Sequence, residues 1–158
     1  MNINIISVGK IKEDYFKAAL SEYEKRLSRF CKLTCIVLPD KRIPDNPSKG
    51  ECDAVLRAEG EQIMSKISKG DRVIAMCVEG KMLSSEGLAE KIEKLSFSGG
   101  DIDFVIGGSL GLWDEVKNRA DFKLSLSPMT LPHRIARLVL EEQIYRSFKI
   151  NANETYHK

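Results

Sequence analysis

The feature that most constrains the fold is a continuous apolar run, Val73-Ile74-Ala75-Met76-Cys77-Val78, which begins just after the polar turn Lys69-Gly70-Asp71. A β-strand with one face in water alternates apolar and polar residues, and this run does not. A strand without alternation is covered on both faces, as in the centre of a parallel sheet flanked by helices. The run therefore predicts an α/β fold with a mostly parallel sheet and helices on both faces.

Strands and helices alternate on both sides of this run. Further strands are predicted at residues 3–8, 33–38 and 102–106, and helices at 13–30, 52–67, 84–98 and 132–150. A short helix is expected near Asp114, and a short strand at the start of residues 124–137. In such folds ligands bind beyond the carboxyl ends of the parallel strands. The ends where we expect chemistry are residues 76–80, 107–112 and 126–133.

Composition narrows the class of protein. The 158 residues suit a single domain, residues 1–158, and contain 42% hydrophobic and 30% charged residues. No apolar run approaches the roughly 20 residues that cross a bilayer, so no membrane association is expected. The start alternates asparagine and isoleucine like a strand and unlike a secretion signal, so we expect a cytoplasmic protein. Four cysteines without a CxxC pair, and two histidines far from them, argue against a metal site.

Two loops at the expected strand ends leave alternatives open. Residues 107–111 are glycine-rich but match neither the G-x-G-x-x-G nor the P-loop pattern, so they form either a tight turn or a close backbone approach to a ligand. Residues 125–132 contain two prolines, two serines and a threonine, but no carboxylate. They form either a plain connection to a helix that starts at Pro132, or the rim of an adenine-sized pocket with Met129 and Leu131 as apolar walls.

Three further features have two interpretations each. His133 stands at a helix start, where it is either structural or a proton acceptor. Residues 39–50 contain three prolines and form either a lid or a surface arm. The last five residues combine Tyr156, His157 and Lys158, which either fray or, once ordered, supply stacking, proton transfer and phosphate contact.

The last predicted helix has two apolar stripes. One consists of Ile135, Leu138 and Val139, and the other of Leu140, Ile144 and Phe148. A helix with two apolar surfaces is either central or shared with a partner, and we prefer a homodimer interface.

Several motifs spread over the whole chain resemble one family. They are Ser7-Val8-Gly9-Lys10, Glu59-Gly60-Glu61, Gly80-Lys81, Ser84-Ser85-Glu86, Val105-Ile106-Gly107-Gly108, Met129-Thr130-Leu131-Pro132-His133, Glu142-Gln143-Ile144-Tyr145-Arg146 and Tyr156-His157-Lys158. In these motifs the chain resembles the SPOUT-class methyltransferases that modify the N3 position of a pseudouridine in bacterial 23S ribosomal RNA. The resemblance implies a SPOUT-type α/β knot with a C-terminal trefoil knot, a homodimer, and S-adenosylmethionine as cofactor.

The same resemblance implies the site residues. The implied cofactor-binding residues are Met76, Gly107, Gly108, Leu126, Ser127, Pro128, Met129, Thr130 and Leu131. The implied catalytic residues are His133, Arg137, Tyr156, His157 and Lys158. The chain departs from the family at Leu110, where a polar residue is usual, and at Cys77, where a carboxylate is common beside the cofactor.

Methyl transfer to an imide nitrogen requires alignment of the reacting atoms and removal of a proton. We expect His133 or His157 to accept or relay that proton and Tyr156 to stack on or orient the base. Arg137 and Lys158 are expected to contact phosphate or to offset developing negative charge. The net charge of only +2 predicts weak binding to free RNA, so the expected substrate is the assembled ribosome. The alternative is a non-catalytic ribosome-binding factor that retains the fold, suggested by Leu110 and Cys77.

Overall fold

The computed structural model describes residues 1–156, which form one sheet of five strands and five α-helices. In chain order the elements are β1 (Asn2–Val8), α1 (Asp14–Leu27), β2 (Lys32–Leu38), α2 (Lys49–Met64), β3 (Arg72–Met82), α3 (Ser85–Ser96), β4 (Ile102–Ile106), α4 (Asp114–Arg119), β5 (Phe122–Ser125) and α5 (His133–Asn151). The strand order is β2-β1-β4-β3-β5, and all four neighbouring pairs are parallel. The predicted α/β fold with a mostly parallel sheet is confirmed.

The helices cover both faces of the sheet. Side chains of α1, α3 and α5 pack with Ile3, Ile5 and Phe104 in one core cluster. Side chains of α2 and α4 pack with Ile6 and Val8 in the other. Because successive side chains of a strand point to opposite faces, β1 supplies both clusters. Phe104 is fully buried, and burial of a side chain of this kind contributes about 1.5–3 kcal/mol.

Strand β3 is longer than predicted, since it continues past Val78 to Met82. After Met76 the pairing with β5 shifts, so that Lys81 lies opposite Leu124 and Met82 opposite Ser125. The shift brings Gly80 so close to β5 that a Cβ there would lie 2.7 Å from the carbonyl carbon of Leu124. Only glycine fits at this crossing, and Glu79, Lys81 and Met82 of the extension are exposed.

Helix α5 lies between α1 and α3, and its two apolar stripes have different surroundings. Leu140 and Ile144 are fully buried in the core, and Phe148 packs against it. Ile135 and Val139 lie on the outer stripe and are 38% and 36% exposed. The inner stripe therefore packs in the core as predicted, and a partner for the outer stripe stays a prediction.

Among the described residues, no helix has the length and apolarity needed to cross a membrane. The C-terminal trefoil knot stays a prediction.

Candidate active site

Three loops meet around a cavity of about 630 Å³ at the carboxyl ends of β3, β4 and β5. They are the three strand ends singled out above, and the neighbouring positions of the strands in the sheet bring them together. The volume falls within the roughly 300–1,000 Å³ of small-molecule sites. Glycines and apolar side chains form much of its wall, and hydroxyl and charged side chains form the rest, so the cavity suits a ligand with both apolar and polar parts.

The glycine loop, residues 107–112, is both a tight turn and a wall of the cavity. The Gly111 N–H donates a hydrogen bond to the Gly108 carbonyl at 3.0 Å, and Gly111 has a φ of +86°. A Cβ on Gly107 would lie 2.3 Å from the Gly111 carbonyl oxygen, so the turn closes only with glycine there. The two alternatives for this segment are therefore compatible.

The loop of residues 126–132 forms the opposite wall and is held by its own serines. The Ser125 hydroxyl donates to the Ser127 carbonyl at 3.0 Å, and the Met129 N–H donates to the Ser127 hydroxyl at 3.0 Å. Pro132 is the N-cap residue of α5, so the loop ends where the helix begins. Leu131 is half-buried in the wall, whereas Met129 is 72% exposed at the rim.

Eight of the nine implied cofactor-binding residues line this cavity, and Pro128 does not. Leu110 and Cys77, the two departures from the family pattern, line it as well. Burial raises the pKa of the Cys77 thiol, so this side chain is uncharged at neutral pH. Neither departure brings a charge into the cavity.

The titratable groups around the cavity are few. His133 lines it, and its ring packs about 3.4 Å from the position of a Cβ on Gly9, with Nε2 buried and without a hydrogen-bond partner in the described part of the chain. Arg134 also lines the cavity and forms an ion pair with Glu13. An unpaired buried ring nitrogen is unusual, and a catalytic role or a bound water would each account for it.

Glu79 is a cavity residue that the sequence analysis missed. The Lys117 ammonium lies 2.9 Å from its carboxylate and lowers the pKa of Glu79, so it is ionised at neutral pH. One signal was available: Glu79 is the one carboxylate within the predicted strand end, residues 76–80.

Arg137 lies away from the cavity, at the packed interface of α5 with α1 and β2. It is 6% exposed, its Nε donates to Glu141 at 2.9 Å, and its Nη2 donates to Glu24 at 3.2 Å. Glu24, Cys35 and Glu141 form the group of metal-type ligands found in the described residues, with ligand atoms within 4.8 Å of one another. The Arg137 guanidinium donates to both carboxylates, and burial raises the pKa of Glu141 to about 7, so this group is a partly buried ion-pair cluster.

Tyr156 follows α5 in the chain and packs against the C-terminal half of that helix. Its hydroxyl donates to Glu142 at 3.2 Å, and the Arg146 guanidinium lies 4.7 Å above its ring. Burial, with Glu142 nearby, raises the pKa of Tyr156 to about 12, so the phenol keeps its proton. Glu142 follows His133 by nine residues, or about 14 Å along the helix. His157 and Lys158 lie outside the described residues.

Comparisons with known proteins agree with this architecture. A family model described as a predicted SPOUT methyltransferase matches residues 1–157. Two proteins named ribosomal RNA large subunit methyltransferase H, from Alkaliphilus oremlandii and Clostridium novyi, are 52% and 53% identical over 159 aligned residues, covering the whole of both chains in each pair. A solved probable methylase family protein from Haemophilus influenzae Rd KW20 aligns with a TM-score of 0.56 and 17% identity, covering 99% of this chain and 70% of that one, which supports the fold alone. With the family model matching nearly every residue, the chain belongs to the SPOUT methyltransferase family.

Proposed function

We propose that this protein uses S-adenosylmethionine to methylate the N3 position of a pseudouridine in 23S ribosomal RNA of the assembled ribosome. The observation that carries the proposal is the cavity at the ends of β3, β4 and β5, walled by the glycine loop and by residues 126–132. The relatives named ribosomal RNA large subunit methyltransferase H support the RNA class of the substrate.

The residues present fit this cofactor. The cavity is large enough for a nucleoside with an amino-acid arm, and Leu131 and Met76 offer apolar contact to an adenine ring. Gly107, Gly108, Leu126, Ser127, Met129 and Thr130 line much of the rest. When bound, the cofactor supplies an electrophilic methyl group on a sulfonium.

His133 and Glu79 are the groups that we assign to proton removal. The imide N–H of the base must lose its proton as the N–C bond forms, and a group within hydrogen-bond reach accelerates this step. His133 lines the cavity and its Nε2 has no hydrogen-bond partner among the described residues, and the ionised Glu79 is a second candidate acceptor at the rim. Arg137 acts indirectly, by fixing α5 and thus the position of His133, since its guanidinium is bound to Glu141 and Glu24.

We assign the tail to the site of a second subunit in a homodimer. Tyr156 packs near Glu142, about 14 Å along α5 from His133, so it does not reach the cavity of its own chain in this arrangement. The outer stripe of α5, with Ile135 and Val139 partly exposed, offers an apolar surface to a partner. In the dimer, Tyr156, His157 and Lys158 would stack on the base and contact phosphate at the partner's cavity.

Complementation tests the assignment of the tail. A His133→Ala variant and a variant lacking residues 156–158 are each expected to be inactive, whereas mixed dimers regain activity because one site then has both His133 and an intact tail. If each cavity instead used the tail of its own chain, no site in the mixed dimer would be complete. Failure of the mixture to recover activity would therefore overturn the shared site. Unchanged activity of the truncated protein alone would remove any role for the tail.

The function itself is tested by mass mapping of 23S ribosomal RNA from cells that lack the protein, before and after incubation with the purified protein and S-adenosylmethionine. A gain of one methyl group on a pseudouridine of intact ribosomes is expected, with much lower turnover on a naked RNA hairpin, because the net charge is only +2. Leu110 and Cys77 favour one competing function, a ribosome-binding factor without catalysis. Calorimetry with no heat at millimolar S-adenosylmethionine would support that competitor.

A further inference from the structure

The segment that connects β2 to α2, residues 39–48, lies at the same edge of the sheet as the cavity. Leu38 ends β2 opposite Val8 of β1, and β1 is the neighbour of β4, which leads into the glycine loop. All residues of the segment except Ile43 are exposed. The segment is longer than the roughly 4–6 residues of a typical connection between two elements.

The segment is held at both ends. A capping box at Ser48 closes it onto α2: the Glu51 N–H donates to the Ser48 hydroxyl at 3.2 Å, and the Ser48 N–H donates to the Glu51 carboxylate at 2.7 Å. Near its start, the Lys41 N–H donates to Oε1 of Glu59 at 2.9 Å. Together with its three prolines, these bonds make the segment an ordered arm.

Glu59 joins this arm to the cavity wall. The side chain is 4% exposed, and its Oε2 is buried without a hydrogen-bond partner among the described residues. A Cβ on Gly108 would lie 2.8 Å from that oxygen, so the carboxylate rests against the outer side of the glycine loop. One side chain therefore contacts both the arm and the wall of the cavity.

The helix that carries Glu59 is a rigid support. A Cβ on the next residue, Gly60, would lie 2.6 Å from the Trp113 ring, so α2 packs directly against the residue that follows the glycine loop. Burial raises the pKa of Glu59, which means that the site makes its charged form unfavourable. A buried carboxylate with one unpaired oxygen costs stability, and such costs are common where function requires the group.

The arm carries two cations at the end of the sheet where the cavity lies. Lys41 and Arg42 are exposed, and neither side chain forms an ion pair with another residue in 1–156. Unpaired cations at the same sheet edge as a methyl-transfer site are placed to contact phosphates of an RNA strand whose base enters the cavity.

We propose that residues 39–48 are an RNA-contacting arm of the active site, and that Glu59 is the positioning residue that fixes this arm relative to the cavity. This inference rests on the proposed function. It assigns the phosphate contacts to Lys41 and Arg42 and the geometry of the arm to the bond between Glu59 and the Lys41 N–H.

Three measurements test the proposed arm together. They are steady-state methylation of ribosomes, binding of ribosomes at several salt concentrations, and calorimetry with S-adenosylmethionine. Lys41→Ala keeps the N–H but removes the ammonium, so it should weaken ribosome binding and reduce the slope of log affinity against log salt by about 1. Lys69→Ala makes the same charge change at the amino ends of the strands, and it should leave ribosome affinity and its salt dependence unchanged. An unaltered slope in Lys41→Ala would overturn the arm as a phosphate contact.

Glu59→Ala should lower kcat/KM for ribosomes about tenfold through loss of a charge-assisted hydrogen bond, while the Kd for S-adenosylmethionine changes little. Glu59→Gln keeps an acceptor for the Lys41 N–H and should restore most of the activity. Equal losses in ribosome kinetics and cofactor affinity, without rescue by Gln, would show a merely structural role. If Glu59→Ala does not fold, the exposed Lys41 variant still decides. Wild-type protein that methylates no RNA would instead refute the proposed function.

Discussion

Replacement of Asp103 by Asn should stabilise the protein at neutral pH. Asp103 lies on β4 with no exposed surface, and its Oδ1 accepts a hydrogen bond from Asn4 at 2.7 Å while Oδ2 has no partner in the described chain. Burial, with Asp71 and Asp101 nearby, raises the pKa of Asp103 from 3.8 to about 6. The folded protein therefore holds a proton that the unfolded chain releases between pH 3.8 and 6.

The direction in which stability changes with pH follows from this proton balance. Where the folded state binds more protons, the free energy of unfolding falls as pH rises, so the wild type loses stability between pH 3.8 and 6. At about 1.36 kcal/mol for each pKa unit, the loss is about 3 kcal/mol above pH 6. Asn cannot ionise and retains an acceptor for Asn4, so Asp103→Asn should avoid most of this loss.

Urea unfolding at pH 3.5 and pH 7.5 measures the effect. The two proteins should be similar at pH 3.5 and differ by up to about 3 kcal/mol at pH 7.5. Asp101→Asn removes a charge from the same cluster at a more exposed position and should have a much smaller effect. Methylation should be unaffected, because Asp103 lies three residues, or about 10 Å, from the cavity residue Ile106. Equal stability of both proteins at pH 7.5 would refute the assigned cost of this carboxylate.

Three shorter predictions concern other contacts. Gly80→Ala should separate β3 from β5 and reduce both thermal stability and cofactor affinity, because the new Cβ would meet Leu124 backbone at 2.7 Å; retained affinity in calorimetry would contradict this. Ser48→Ala should cost about 1 kcal/mol in urea unfolding through loss of the α2 cap, with Ser84→Ala as a matched change at α3. Burial raises the pKa of Glu141 to about 7, so Arg137→Ala should cost about 3–5 kcal/mol at pH 8, where it leaves the ionised Glu141 without its cation; a loss under 1 kcal/mol at pH 8 would contradict this role.

The sequence predicted the elements well because their signals are local. Gly9 and Pro39 mark the ends of β1 and β2, and the 3.6-residue period of α1 and the unbroken apolarity of β3 are readable within short windows. The predicted end of β3, Val78, was four residues too early. The strand continues to Met82 because it pairs with β5, which lies about 40 residues later in the chain.

The site was only partly predictable for the same reason. The three strand ends were chosen without knowledge of strand order, and the order β4-β3-β5 then placed them around one cavity. Arg137 and Glu141 are spaced like an exposed i, i+4 pair of a helix surface, and the sequence offers no sign that α1 and β2 bury them. The sequence also gives no sign of the role of Glu59, since its contacts with Lys41 and Gly108 join distant segments of the chain.

The parallel pairing of β1 with β4 also determines when this enzyme can become active. Ile3 pairs with Ile102, so the first strand has to wait for about a hundred further residues, or roughly 5–20 seconds of synthesis, before its central neighbour exists. The loop of residues 126–132 and the helix that carries His133 emerge later still. A nascent chain therefore lacks the walls of the cavity until residues 126–132 and α5 have been made, and until β4 is made the early β1–β2 pair has an open edge that is prone to aggregation.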